Sequence, residues 1–252
     1  MDTLTKDQQT DFWDNKAQTF PRYETKEDNY EAGMLGKIKR MGVVFKDADI
    51  LDVGCGSGMY TIRIAKEAKS VTATDISGEM LRILNEDAKD NGVDNIVTVH
   101  TDWKGFSTDR KYDVVFCSMT PAIQSDGARR KVTDCSCGHV AYMGFAGKMD
   151  SAVLNGLYGK FGITQRDFSD SLNMKAWLEK NGYGYSAETV DGEWVVSRTL
   201  DGMVKNTYDM LSTYNVPLDE KYIREYVERF RNESGEYTDR TKYRIEVIVW
   251  RV

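Results

Sequence analysis

The chain has 252 residues, with 34 Lys and Arg against 40 Asp and Glu and a formal net charge of −6. A chain of this size buries roughly 70–75% of its unfolded surface, and a composition 40% hydrophobic and 29% charged with only 3 prolines is that of a globular protein rather than a disordered one. The acidic balance argues against a general nucleic-acid binder; no basic and apolar leader opens the sequence and no long apolar run interrupts it, so a cytoplasmic location away from membranes is expected, with reduced thiols at Cys55, Cys117, Cys135 and Cys137.

Residues 1–44 read as an N-terminal helical cap. Asp49–Val53 then reads as a buried strand closed by Gly54, and Tyr60–Lys69 as a helix with Ile62, Ala65 and Ala68 at helical spacing. Ser70–Thr74 is a second strand. Gly78–Asp90 is a helix with Met80, Leu81, Leu84 and Ala88 on one face, stopped by Asn91-Gly92. Asn95–Thr101 and Tyr112–Ser118 are the next strands, the latter apolar enough to be buried on both faces. Ala128, Val132 and Cys135 mark a helix before the strand Gly138–Phe145. This alternation predicts a doubly wound α/β fold: a parallel sheet covered by helices, with right-handed crossovers.

The last third is less regular. Ser171–Asn181 reads as a helix ended by Gly182, and Tyr185–Val190 as a strand. Leu200, Met203, Val204, Thr207 and Leu211 mark one helix face; Tyr222, Ile223, Tyr226, Val227 and Phe230 mark another, with Asp219 as its N-cap. Tyr243–Val252 alternates and closes the sheet. No linker divides the chain, so residues 1–252 read as one domain: cap 1–44, sheet core 45–197, helical insertion 198–240 and closing strand 241–252. The two inserted helices exceed what a sheet connection needs, which leaves packing on the sheet and covering of a substrate as alternatives.

The strongest local signal is Ile50-Leu51-Asp52-Val53-Gly54-Cys55-Gly56-Ser57-Gly58, three alternate glycines between a strand and a helix. Glycine allows tight turns and close approach of a ligand to the backbone, and a following helix offers free N–H groups to an anion. A dinucleotide-binding turn needs G-x-G-x-x-G; counted from Gly54 the third glycine falls on Met59, and counted from Gly56 it falls on Thr61, so neither register closes.

The pattern Asp52-x-Gly54-x-Gly56-x-Gly58 resembles the first motif of class I S-adenosylmethionine-dependent methyltransferases, and the resemblance covers about residues 45–145. It implies a seven-stranded, mostly parallel sheet with an antiparallel last strand. It implies S-adenosyl-L-methionine as cofactor, S-adenosyl-L-homocysteine as product, and the turn Asp52, Gly54, Cys55, Gly56 and Gly58 as part of the donor site. Asp75, ending the second strand, would accept from the ribose hydroxyls, with Ile76 against the adenine. Asp102 would accept from the adenine amino group, and the Trp103 indole would offer a stacking surface. Ser118, Met119 and Thr120 occupy the family's place for the methionine moiety and the acceptor. Phe12-Trp13-Asp14 resembles an aromatic segment that folds over the cofactor in small-molecule members, which makes Trp13 an acceptor-side candidate. Ser118-Met119-Thr120-Pro121 departs from the run of certain amino-methylating members, so the reacting atom stays open.

Methyl transfer from a sulfonium is an in-line displacement in which the protein aligns the nucleophile and excludes water, so neither a catalytic triad nor a metal is required. A base is needed only for an acceptor that arrives protonated. His100 and His139 are the candidates, each with the alternative of a hydrogen-bonded structural histidine. Cys135-Ser136-Cys137 reads as two separate buried thiols, with a metal or metalloid site as the alternative. The expected partner is a small-molecule acceptor, with no nucleic acid or membrane, on a monomer or homodimer. The competing readings are a catalytically silent donor-binding module and an NAD-dependent oxidoreductase; RNA methylation is weakened by the acidic balance.

Overall fold

The computed structural model describes residues 5–252; the first four residues of the expected cap lie outside the described range. Helix α1 (Lys6–Ala17) starts on a capping box, in which Gln8 N–H donates to the Thr5 hydroxyl and Thr5 N–H donates back to Gln8 Oε1. Then come α2 (Tyr30–Arg40), β1 (Asp49–Val53), α3 (Thr61–Ala65), β2 (Ser70–Asp75), α4 (Gly78–Asp90), β3 (Ile96–His100), β4 (Tyr112–Ser118), α5 (Asp126–Cys135) and β5 (Ser136–Phe145). The chain continues through the two-residue β6 (Asp150–Ser151), α6 (Ala152–Lys160), α7 (Asp170–Lys180), β7 (Tyr185–Arg198), α8 (Leu200–Ser212), α9 (Glu220–Val227) and β8 (Tyr237–Arg251).

The chain forms two compact units. The first comprises residues up to Gly144 together with Asp170–Glu188 and Glu246–Val252. Its strands lie in the order β3-β2-β1-β4-β5, all parallel, and β8 runs antiparallel beside β5, with Val252 N–H donating to Gly138 O. The order reverses between β1 and β4, the place where open α/β sheets bind ligands beyond their carboxyl ends. Leu51, Val53, Val115, Val140, Trp177, Ile248 and Trp250 are core residues of this unit. α4 presents Met80, Leu81, Leu84 and Ala88 to the interior and is capped by the Ser77 hydroxyl, which accepts from Met80 N–H at 3.1 Å. The expected α/β class, parallel sheet and antiparallel closing strand are all present, with eight strands among the described residues rather than seven.

The second unit is Phe145–Ser169 with Thr189–Ile245. Here β6 pairs antiparallel with the start of β8, Asp150 opposite Lys242. Leu154 and Leu157 of α6, Met203 and Leu211 of α8, and Ile223 and Val227 of α9 share one apolar core. Asp219 caps α9 as expected, accepting from Tyr222 N–H at 3.1 Å.

The sequence reading did not anticipate β6 and α6, and it started the closing strand at Tyr243 rather than Tyr237; two further differences have a clear cause. The helix expected over Tyr60–Lys69 stops at Ala65, because the backbone beyond it is drawn into bonds with the loop before β1: Asp47 N–H donates to Glu67 O and Lys69 N–H to Ala48 O. β7 runs on to Arg198 through Gly192, where the phenol of Tyr243 sits so close that an added Cβ would lie 2.3 Å from its oxygen. There the glycine admits a neighbour without ending the strand. Among the described residues no helix is long and apolar enough to cross a membrane.

Candidate active site

The carboxyl ends of β1, β2, β3 and β4 open on a cavity of about 400 Å³, lying wholly within the first unit. This is inside the size range of small-molecule sites. Asp52, Gly54, Cys55 and Gly56 line it from the β1 turn, Asp75 and Ile76 from β2, Asp102 and Trp103 from β3, and Ser118, Met119 and Thr120 from β4. Trp13 reaches it from α1. Every residue the sequence reading placed in the site is therefore on this wall except Gly58. That glycine is instead buried against α4, where a Cβ would meet Leu84 Cδ1 at 2.2 Å.

The turn is built on backbone that side chains rarely adopt. Gly54, Gly56 and Gly58 have φ of +71°, +55° and +86°, and a Cβ on Gly54 would fall 2.1 Å from Thr120 Oγ1. The β1 turn and the segment after β4 thus touch through a glycine, which brings the two strand ends together around the cavity. Met119, at φ +48°, is itself left-handed, and its N–H donates to Met143 O at 2.8 Å.

Asp52 is 1% exposed and accepts from the Thr61 hydroxyl at 2.7 Å. Burial pushes its carboxyl up to about 7, against the Thr61 hydrogen bond that favours the carboxylate, and the nearby Asp75 adds to the rise. The Cys55 thiol is pushed well up by burial, then by Asp75 and Asp52, so it stays protonated. Asp75 is raised by burial too, opposed by the backbone N–H groups it collects: Oδ2 accepts from Gly56 N–H at 2.8 Å and Oδ1 from Ser77 N–H at 2.9 Å. Each carboxylate oxygen has two lone pairs, so a pair of ligand hydroxyls can still be received.

At the β3 end, Asp102 Oδ1 accepts from Gly105 N–H at 2.7 Å and Oδ2 faces Lys6 Nζ at 3.5 Å. Trp103 reaches the wall but is only 6% exposed. Its ring stacks on Phe106 at 5.3 Å and its N–H donates to Ala128 O at 3.3 Å, so most of the indole serves the core.

The N-terminal segment is clipped over this edge by polar ties. Asp14 Oδ1 accepts from the Ser77 hydroxyl at 2.5 Å and from Glu79 N–H at 3.2 Å. The Ser57 hydroxyl donates to Pro21 O at 2.6 Å, and Arg22 Nε donates to Asp87 Oδ1 at 3.0 Å. Phe20 joins Trp13 on the cavity wall, their rings 6.5 Å apart and edge to face. Phe20, Tyr60 and Phe116 were not legible as site residues, since single aromatics carry no spacing signal. Thr61 left a clue: it is the one hydroxyl in the run Thr61-Ile62-Arg63-Ile64-Ala65, nine residues after Asp52.

Neither histidine lines the cavity. His100 Nε2 is 2.9 Å from Ile76 O and so props the β2–α4 turn. His139 lies near the start of β5, opposite Val114, away from the strand ends that form the site. Cys135 is buried at the end of α5 as expected, but Cys137, expected to be buried too, is exposed, one residue into β5 beyond the helix end; no group able to hold a metal ion occurs among the described residues.

Residues 50–140 match the model of a methyltransferase domain family. The ubiquinone biosynthesis O-methyltransferase of Serratia proteamaculans is 33% identical over 82 residues, 32% of this chain and 33% of that protein. The ribosomal protein L11 methyltransferase of Lactobacillus delbrueckii is 32% identical over 99 residues, 39% of this chain and 31% of that one. The matched segment thus spans about a third of the length of these curated relatives. In structure, the YcgJ protein from Bacillus subtilis superposes with a TM-score of 0.56 at 17% identity, over 88% of this chain and 98% of that one. Magnesium protoporphyrin IX methyltransferase from Synechocystis, solved with bound SAH, gives 0.56 at 13% identity over 98% and 99%. Residues 50–140 are thus similar to a methyltransferase domain, and the described residues share the α/β fold of these solved structures.

Proposed function

We propose that the chain transfers the methyl group of S-adenosyl-L-methionine to a small-molecule acceptor and releases S-adenosyl-L-homocysteine. The observation that carries this reading is the convergence of four strand ends on one cavity, with the Asp75 carboxylate anchored to the glycine turn at 2.8 Å. That carboxylate keeps lone pairs for two ribose hydroxyls, Ile76 supplies an apolar surface for the base, and Asp102 an acceptor for its amino group. Gly54 and Gly56 line the cavity on the side we assign to the amino-acid end, beside Ser118. When bound, such a donor supplies an electrophilic methyl on a sulfonium. The protein's part is to align an acceptor lone pair about 3–3.5 Å from that carbon and to keep water out, for which Trp13 and Phe20 close the edge. The C–S bonding pair stays on sulfur, and an acceptor that arrives protonated gives up its proton to solvent.

The reading takes residues 1–252 as one cytoplasmic enzyme and assigns α8 and α9 to acceptor selection. The free thiols of all four cysteines suit a reducing compartment. Calorimetry with S-adenosyl-L-methionine, S-adenosyl-L-homocysteine and NAD should show binding of the first two only, and affinity for NAD alone refutes the reading. A labelled-methyl screen over metabolite pools then separates turnover from silent binding. Excising residues 198–232 should abolish turnover and leave donor affinity in place; undiminished turnover refutes the assignment of those helices.

A further inference from the structure

Buried polar groups in native proteins are paired, and each exception calls for an explanation. Of the buried side-chain polar atoms without a hydrogen-bond partner among the described residues, the Tyr60 hydroxyl alone belongs to a residue lining the cavity. Tyr60 is 6% exposed, and its ring is held 5.4 Å from that of Phe116. The hydroxyl lies beside those of Tyr30 and Ser118, yet makes no hydrogen bond of good geometry to either. Burial, reinforced by Tyr30 and Glu31 and opposed by Ser118, pushes its titration far above the ordinary phenol range, so it is a neutral hydroxyl that both donates and accepts. Its position along the cavity is also informative. Asp75, Ile76 and Asp102 come from β2 and β3, whereas Tyr60 follows the glycine turn of β1 and abuts Ser118 at the end of β4.

We infer that the Tyr60 hydroxyl, together with Ser118, is a positioning ligand for the charged amino-acid end of the donor. The inference rests on the donor reading above and adds to it a contact that no motif position announces. A hydroxyl left unpaired in the free protein gains a charge-assisted hydrogen bond when an ammonium or carboxylate enters, so the loss on removing it falls on the tail alone.

The test is calorimetry of the full chain and of its Tyr60→Phe variant with two ligands. S-adenosyl-L-homocysteine carries the amino-acid end, and 5′-methylthioadenosine is the same thioether nucleoside without it. Tyr60→Phe should weaken S-adenosyl-L-homocysteine about tenfold or more, the scale of one hydrogen bond to a charged group, and change 5′-methylthioadenosine by less than about twofold. The unfolding midpoint of the free variant should not fall, because no partner is lost; a hydroxyl with a structural role would lower it. Equal losses for both ligands, or undiminished affinity for S-adenosyl-L-homocysteine, overturn the inference while the donor reading stands. If the unmodified chain binds neither ligand, the donor reading fails, and this inference with it.

Discussion

Asp52 should make the protein less stable as the pH rises, and replacing it should remove that dependence. The carboxyl is fully enclosed and its folded-state pKa is about 7, against 3.8 for an unhindered aspartate. The native state therefore holds a proton that the unfolded chain releases. Stability from this group is complete below about pH 4 and is lost progressively as the pH climbs through about 7. At about 1.36 kcal/mol per pKa unit, the whole effect is about 4 kcal/mol, a large fraction of the stability of a typical domain. Asp52→Asn keeps the shape and still accepts from the Thr61 hydroxyl, but cannot ionise. Urea unfolding of both chains should show the variant gaining about 3 kcal/mol on the parent between about pH 5 and pH 8. Using the difference between the two chains cancels the other titrating groups, including Asp49, which Ser70 holds down at about 2. A gap that stays constant across this range would falsify the claim that Asp52 is buried with its proton.

Gly54→Ala should be costly, because the new Cβ would lie 2.1 Å from Thr120 Oγ1 and 2.7 Å from Thr120 Cβ at a φ of +71°. Overpacking costs about 1–3 kcal/mol and the left-handed backbone about 1–2 more. Thr120→Gly in the same chain should restore more of the melting temperature than Thr120→Ala; identical recovery would mean that the clash is not the cause. Asp14→Ala removes the acceptor of Ser77 and Glu79 N–H. It should speed proteolytic cleavage before Tyr30 several-fold, with S-adenosyl-L-homocysteine restoring protection; cleavage at the parental rate would show that other contacts hold α1.

The first unit was the more legible half of the molecule. Gly78–Asp90 and Tyr112–Ser118 were readable to the residue because each carries one unbroken period and a clear stop, Asn91-Gly92 for the helix and a polar Ser118 for the strand. The spaced glycines and the acids at two strand ends sit together because parallel topology brings all carboxyl ends to one edge. What sequence could not convey was interaction across the fold. The bonds from Asp47 and Lys69 that truncate α3 are made by residues distant in register, and the close approach of Tyr243 that lets β7 pass through Gly192 is invisible to periodicity. Trp103 shows the same limit at a single residue: its position after β3 was readable, but the Phe106 stack and the bond to Ala128 that occupy its ring were not.

On the proposed function, the cavity holds an electrophilic methyl group that must not alkylate its own wall, and Cys55 is a wall side chain open to that hazard. Thiolate is the nucleophilic form of cysteine, and Cys55 stands in the glycine turn itself. Burial, reinforced by the charges of Asp75 and Asp52, keeps this sulfur a thiol, so the acids of the proposed donor site also quench a competing nucleophile. Iodoacetamide at about pH 8 should therefore label exposed Cys137 far faster than Cys55, by about tenfold or more given that rate follows the thiolate fraction. Asp52→Asn removes one of the two charges and should speed labelling of Cys55 while leaving Cys137 unchanged, which separates electrostatics from access. If Cys55 reacts as fast as Cys137 in the unmodified chain, its sulfur is ionised, and some other feature must protect it from the donor.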